Sequence, residues 1–114
     1  MEITFKNLRA EKQFSSKYKK NRKYPKQVET KLEAAENYII NANSMKDIAC
    51  YPPFRLERLK GNRKDEWSIR LGNTGYRVTF SPCDDRGNLI DGDILSKCRS
   101  IRIIMVTEVS NHYE

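Results

Sequence analysis

Residues 54–80 read FRLERLKGNRKDEWSIRLGNTGYRVTF, and this stretch decides the fold. Apolar and polar side chains alternate along it at the two-residue period of β-strands. The apolar positions of the two clearest strands are Trp67, Ile69, Leu71, Tyr76, Val78 and Phe80. Arg70 and Arg77 point the opposite way, so one face of the predicted sheet builds a core and the other can present cations to a phosphate-rich partner.

Helical patterns precede this sheet. The strongest follows Pro25, a residue that suits the first turn of a helix. Its apolar residues recur at steps of three and four: Val28, Leu32, Ala35, Ile39 and Ala42. A strand at residues 2–6 and a helix starting at the N-cap Asn7 come before it. One helical turn at 45–50 follows, and the chain is then expected to be extended at Pro52 and Pro53.

Strands are expected at residues 54–60, 66–71 and 76–81, joined by glycine-containing turns. A polar connection at 82–97 then leads to a nearly continuous apolar strand at 100–109 that suits the interior of a sheet. This order predicts an α+β fold, with two N-terminal helices packed on a mostly antiparallel sheet of about four or five strands. The length of 114 residues predicts a single domain over the whole chain.

The formal charge is +7, and it is unevenly distributed. Residues 1–31 hold ten Lys and Arg against three acids, and residues 54–80 hold seven against three. Concentrated positive charge attracts polyanions; a merely charge-rich, solvated surface is the alternative. No stretch approaches the roughly 20 apolar residues of a membrane-spanning helix, and residues 1–8 lack the apolar core of a signal peptide. We therefore expect a cytoplasmic protein without membrane contact.

The potential metal ligands follow no known pattern. Cys50, Cys83 and Cys98 are odd in number and widely spaced, which favours free thiols over a disulfide framework or a zinc site. The acidic residues of segment 84–93 lack the spacing of a calcium-binding loop and are more typical of a solvated connection. No metal or other cofactor is expected.

Four segments together resemble a known family. Leu59–Lys64, Trp67–Ile69 and Arg77–Phe80 are similar to the pattern L-K-G-D/N-R-K, W-S-I and R-L/V-x-F of HigB-type toxins, and Glu108–Tyr113 resembles the ending of that group. These toxins belong to the RelE/ParE superfamily of bacterial toxin-antitoxin systems. The resemblance implies a RelE-like fold and a ribosome-dependent endoribonuclease that cuts mRNA without a metal. It also implies a HigA-like helix-turn-helix antitoxin as partner. A ParE-like gyrase inhibitor and a non-catalytic RNA-binding module are the alternatives on the same fold.

Metal-independent RNA cleavage needs a base for the 2′-hydroxyl, an acid for the leaving 5′-oxygen, and cations beside the phosphate. The resemblance implies Lys60, Arg63, Arg77 and His112 as the candidates for these roles. Glu57 stands where many relatives carry a histidine. It either replaces the imidazole as general base or is a surface carboxylate with no part in the reaction.

The candidate catalytic residues also have structural interpretations. His112 is the only histidine, and its ordinary pKa of about 6.5 suits acid-base work near neutrality. Tyr113 beside it either donates a proton, stacks on a base or anchors the tail. For Arg77, the alternative is a salt bridge to a cross-strand carboxylate such as Glu66 or Glu108.

Other basic residues are candidates for binding RNA. Lys60 and Arg63 flank a turn at Gly61–Asn62, where two cations can converge on one phosphate. The run at 17–26, with tyrosines interleaved, resembles a surface that tracks a single-stranded or ribosomal RNA backbone, and a solvated helix end is the alternative. The candidate RNA-binding residues are Lys64, Arg70, Lys19, Lys20, Arg22 and Lys23.

Overall fold

The computed structural model describes residues 1–63 and 65–111. Within them, five strands form one sheet in the order β1-β5-β4-β3-β2. The strands are β1 Glu2–Phe5, β2 Glu57–Arg58, β3 Trp67–Arg70, β4 Tyr76–Cys83 and β5 Ile103–Asn111. The helices are α1 Leu8–Phe14, α2 Lys26–Asn41, α3 Met45–Ala49 and α4 Ile94–Lys97. Only β1 pairs in parallel, with β5, so the predicted α+β fold with a mostly antiparallel sheet is confirmed.

The core lies between α2 and one face of the sheet. This is the face to which the alternation of apolar residues assigned the core. The helix contributes four buried residues: Val28, Leu32, Ala35 and Ile39. The sheet contributes five side chains with no exposed surface: Ile69, Val78, Phe80, Ile104 and Val106. Each fully buried side chain of this size stabilises the fold by about 1.5–3 kcal/mol. The apolar strand β5 lies between β1 and β4, which explains its nearly continuous apolar sequence.

Local signals set the start of the N-terminal helices. The side chain of Asn7 accepts a hydrogen bond from the backbone N–H of Ala10, so it caps α1 as predicted. Pro25 immediately precedes α2. The basic run between the two helices begins with a 3-10 helix, Ser16–Asn21. None of the helices in the described part of the chain has the length and apolarity needed to cross a membrane.

The strand predicted at 54–60 is present but much shorter, and the extended chain predicted at Pro52 and Pro53 is wrong. Pro52–Phe54 forms a 3-10 turn, because the φ angle that proline imposes fits such a turn as well as an extended chain. Arg55 then adopts a positive φ of 46°. The chain reaches the sheet only at Glu57–Arg58, so β2 is a two-residue edge strand.

The connection predicted at 82–97 is shorter than expected at both ends. β4 continues through Pro82 to Cys83, where it pairs with β5. Proline is tolerated there because β3 pairs no further than Phe80, and the connection on that side only donates to Pro82, through the backbone N–H of Ile90. At the other end Asp93 caps α4 by accepting a hydrogen bond from the backbone N–H of Ser96.

Candidate nucleic-acid interface and active site

The face of the sheet that points away from the core carries two arginines at directly opposite positions. Arg70 on β3 and Arg77 on β4 are paired residues in the register of these antiparallel strands. Like charges in this arrangement destabilise a sheet by about 0.2–1 kcal/mol. Within the described ranges 1–63 and 65–111, the exposed side chain of Arg70 has no hydrogen bond or ion pair. An anion placed between the two guanidinium groups would relieve their repulsion.

A surface cleft of about 280 Å³ opens beside this arginine pair. Arg70, Arg77 and the turn between β3 and β4 line it, including Gly72, Asn73 and Gly75. Gly72 and Gly75 have φ angles of 59° and 84°, a conformation that glycine adopts without a steric penalty. The tight turn therefore leaves the arginines open to a ligand of phosphate size.

Glu57 on the edge strand is the carboxylate nearest to Arg77 among the ion pairs of the described residues. Its Oε1 lies 3.9 Å from Nη1 of Arg77, and the two side chains are 57% and 28% exposed. An ion pair this long and this exposed contributes little to stability. The alternative partners expected for Arg77, Glu66 and Glu108, bind Arg63 instead. Compared with Arg63, Arg77 is therefore the better placed to bind an external anion.

Arg63 ends the 3-10 turn Gly61–Arg63 and folds back onto the sheet. Its Nε and Nη2 donate to the two oxygens of Glu66 at 3.0 and 2.9 Å, and Nη2 also donates to Glu108 at 2.8 Å. The hydrogen bond to Glu66 raises the pKa of the Arg63 guanidinium above its usual value. Lys60, just before the turn, is exposed. Arg63 is thus bound within the chain by two carboxylates, and the convergence of Lys60 and Arg63 on one phosphate stays a prediction.

Two threonines connect this ion-pair cluster to the sheet. Thr107 donates to Glu66 at 2.6 Å, and the hydroxyls of Thr107 and Thr79 lie 2.8 Å apart. The hydrogen bond from Arg63 lowers the pKa of Glu66, although burial opposes the shift. The cluster of Arg63, Glu66, Glu108, Thr107 and Thr79 therefore fixes the turn after β2 against β5.

The lowered pKa of Glu66 makes the stability of the fold depend on pH. The pKa of a glutamate is about 4.3 in an unfolded chain, so ionised Glu66 stabilises the fold above that pH, and this contribution is lost as the pH falls through the folded-state pKa. We expect Glu66→Gln to lower the free energy of unfolding by about 1.5–3 kcal/mol near neutral pH, and the difference from wild type to shrink in acid. Urea unfolding across a pH series measures both quantities.

Glu33→Gln is the control for this measurement. Glu33 forms an ion pair with Lys19 at 3.6 Å, and both side chains are about half exposed. Its replacement should cost about 1 kcal/mol or less. A destabilisation by Glu66→Gln that is equally large in acid and at neutrality would contradict the role given to its charge.

Three predicted site residues, Lys64, His112 and Tyr113, lie outside the described residues. The last described residue of β5, Asn111, pairs with Tyr76, and Ser110 pairs with Arg77. The described end of β5 therefore lies beside β4, next to Arg77.

The basic run before α2 contains two kinds of cation. Lys20 and Lys23 are exposed, and so is the ion pair that Lys19 forms with Glu33. The side chain of Arg22 is only 10% exposed, and it binds the carboxylate of Glu29 through Nε and Nη2 at 2.9 and 2.8 Å. The three lysines are thus available to an external polyanion, whereas Arg22 holds two parts of the chain together.

Sequence reasoning missed the partners of Arg63. Glu108 is 45 residues away in sequence, so no local pattern connects the two. The i,i+3 spacing of Arg63 and Glu66 was a usable signal for the other half of the cluster. The sequence analysis also missed an aromatic cluster of Tyr38, Tyr51 and Phe54, because Tyr38 lies in α2 and the other two rings come from the 3-10 turn at 51–54.

Comparisons with known proteins agree with this architecture. The structure is similar to the YoeB/ParE toxin from Agrobacterium tumefaciens, with a TM-score of 0.53, 14% sequence identity, and coverage of 99% of this chain and 100% of that one. This likeness shows the fold of RelE/ParE-type toxins. A search of individually curated proteins gives no significant match.

The family itself follows from the sequence. A model of the HigB-like toxin family, described as the RelE-like toxin of the type II toxin-antitoxin system HigB, matches residues 4–93. The chain therefore belongs to the HigB-like toxin family and is the toxin of a type II toxin-antitoxin system, which implies an antitoxin as its partner. The match ends before β5, so it does not extend to the segment Glu108–Tyr113.

Proposed function

We propose that this toxin is a metal-independent, ribosome-dependent endoribonuclease that cuts translated mRNA in the cytoplasm, and that residues 1–114 form its single domain. Its membership of the HigB-like family supports ribonuclease activity in general. The observation that carries the proposal is the pair of opposed arginines, Arg70 and Arg77, in a polar cleft. Two guanidinium groups held side by side suit a phosphodiester.

In the proposed reaction, the 2′-oxygen of one nucleotide attacks the adjacent phosphorus and the bond to the 5′-oxygen breaks. The products are a 2′,3′-cyclic phosphate and a free 5′-hydroxyl. Negative charge builds on the non-bridging oxygens in the transition state, and fixed cations that meet this charge lower the barrier. Arg77 is assigned this role, with Arg70 binding the same or the neighbouring phosphate.

The proton transfers are assigned by position and chemistry. Glu57 is the candidate general base because its carboxylate lies beside Arg77, where the bound phosphodiester would place the 2′-hydroxyl. His112 is the candidate general acid, since an imidazole exchanges protons near neutrality. Tyr113 and Lys60 are the further candidates for protonating the leaving oxygen. Arg63, whose donors bind two carboxylates, is proposed as a positioning residue.

The proposed partners follow the distribution of charge. The exposed lysines of the basic run, together with Lys64, would contact the ribosomal RNA backbone, because such contacts depend mainly on phosphate charge. They are Lys19, Lys20 and Lys23. A HigA-like helix-turn-helix antitoxin would neutralise the toxin by covering its basic surface or by blocking entry into the ribosome.

Cleavage assays with and without ribosomes test this function. We expect toxin that has been treated with EDTA to cut a translated mRNA on intact ribosomes, at sites visible by primer extension. The same RNA should stay uncut when ribosomes are omitted. Rapid cutting of free RNA would overturn the dependence on ribosomes. In cells, an early stop of DNA synthesis with translation intact would favour a gyrase inhibitor instead.

A further inference from the structure

Three aromatic rings form a cluster beside the end of β3. Tyr38 stacks on Tyr51 with 4.5 Å between ring centroids, and Phe54 meets both rings edge-on at 5.2 and 4.8 Å. The hydroxyl of Tyr38 donates to the carbonyl oxygen of Asp47 at 2.9 Å, which fixes the supporting ring. Tyr51 is nevertheless 37% exposed. A supported aromatic ring that is open to solvent is a platform on which another planar ring can stack.

The cluster borders a cavity that adjoins the arginine cleft. Tyr51 and Phe54 line this cavity of about 130 Å³, together with Arg70 and Gly72. The same Arg70 and Gly72 line the cleft that contains Arg77. The two cavities therefore share a wall, and one ligand can extend from the arginine pair to the aromatic rings.

We propose that the aromatic cavity binds one base of a single-stranded RNA whose phosphate lies on Arg70 and Arg77. The inference rests on the proposed function, which places a phosphodiester on this arginine pair. Charge and shape together select the occupant: an inorganic anion lacks the planar ring that the cavity accepts, and an apolar peptide lacks the phosphate that the arginines accept.

A third cation lies where the two cavities meet. A Cβ atom built on Gly72 would lie 3.0 Å from Cε of Lys31, so the Lys31 side chain passes over this glycine. Lys31 also lines the aromatic cavity. A nucleotide that spans both cavities thus has a positively charged side chain beside its backbone, as expected for single-strand binding surfaces that combine stacking with cationic contacts.

Binding of modified oligonucleotides tests the subsite without cleavage. The probes are a fluorescently labelled 2′-O-methyl RNA pentamer, which lacks the nucleophilic hydroxyl, and the same backbone with abasic positions. We expect wild type to bind the intact pentamer about 5-fold or more tighter than the abasic one, which corresponds to the lower end of base–aromatic stacking. Tyr51→Leu should bring the two affinities close together, whereas Tyr51→Phe, which keeps the ring, should preserve the preference. Arg70→Ala should weaken binding of both probes by a similar factor.

The outcomes separate the subsite from the proposed function. A Tyr51→Leu variant that keeps the wild-type preference for the intact pentamer overturns the subsite. This includes a variant whose affinities for the two probes fall by the same factor. A Tyr51→Leu variant that loses affinity for the antitoxin alone also overturns it, in favour of a protein-binding surface. Loss of the preference in Tyr51→Leu supports the subsite even if the ribosome assay detects no cleavage, in which case only the proposed reaction fails.

Discussion

Replacing Arg77 with alanine should reduce ribosome-dependent cleavage of mRNA by about 100- to 1000-fold, the usual effect of removing one fixed donor that stabilises transition-state charge. The proposal makes Arg77 the cation that meets the developing charge on the phosphate. Its only ion pair within the described ranges, with Glu57 at 3.9 Å, is long and exposed, so its charge is available to the substrate. Primer extension on programmed ribosomes measures the rate.

The same substitution should leave the fold intact. It removes one of two opposed like charges, so the free energy of unfolding should stay unchanged or rise by less than about 1 kcal/mol. Ribosome association, followed by sedimentation, should stay close to that of wild type. Arg99→Ala is the matched control, because Arg99 is an exposed arginine on the 3-10 helix Cys98–Ser100, away from the arginine pair. Normal cleavage by Arg77→Ala would transfer the catalytic cation to Lys60 or Arg63.

The parts of the fold that could be predicted are those whose apolar residues repeat at a clear period. Val78 and Phe80 are fully buried, and Arg77 before them faces the opposite side of the sheet, as alternation requires. The four-three spacing in α2 likewise identified its four buried residues, whereas Ala42, the fifth residue of that series, is the half-buried C-cap. One side of each of these elements contacts the core along its whole length, so apolar residues repeat in the sequence at the period of the helix or strand.

The length of β2 could not be predicted, because alternation is compatible with both a strand and an irregular edge. Pro52 fits a 3-10 turn as well as an extended segment, and the positive φ of Arg55 has no sequence signal of its own. The edge strand is therefore limited to Glu57–Arg58 by turns on both sides of it.

The sequence predicted which residue types form the candidate site. It did not predict which of the charged side chains are bound by other residues of the protein and which can bind a ligand. Arg63 and Arg77 are equivalent in sequence terms, yet two carboxylates bind Arg63, whereas the ion pair of Arg77 in the described part of the chain is long and exposed. The difference depends on β5 bringing Glu108 next to Arg63 across 45 residues. Ion pairing is a tertiary contact, so a local charge pattern does not determine it.

Arg22 shows the same distinction in the basic run, because its guanidinium is bound within the chain. Besides its two hydrogen bonds to Glu29, it donates to the backbone carbonyl oxygens of Ser15 at 2.7 Å and Lys12 at 3.2 Å. It also lies over the ring of Tyr24, 5.3 Å from the centroid. These contacts join the end of α1 to the start of α2, and the Arg22 and Glu29 side chains are only 10% and 12% exposed.

Arg22→Ala should therefore destabilise the protein by about 3–5 kcal/mol, because it leaves the buried charge of Glu29 without its partner. Replacing both residues, as Arg22→Met with Glu29→Leu, should recover much of this loss, since no unpaired charge then remains. Lys23→Ala is the matched control, and it should change stability by less than about 0.5 kcal/mol because Lys23 is exposed. Urea unfolding measures these differences, and sedimentation across a salt series measures ribosome binding.

If Lys19, Lys20 and Lys23 contact RNA, their joint replacement by alanine should flatten the salt dependence by about 0.7–0.9 per lost phosphate contact. An Arg22→Ala variant with wild-type stability but a similarly flattened slope would show that Arg22 contacts RNA and does not act as a structural clamp.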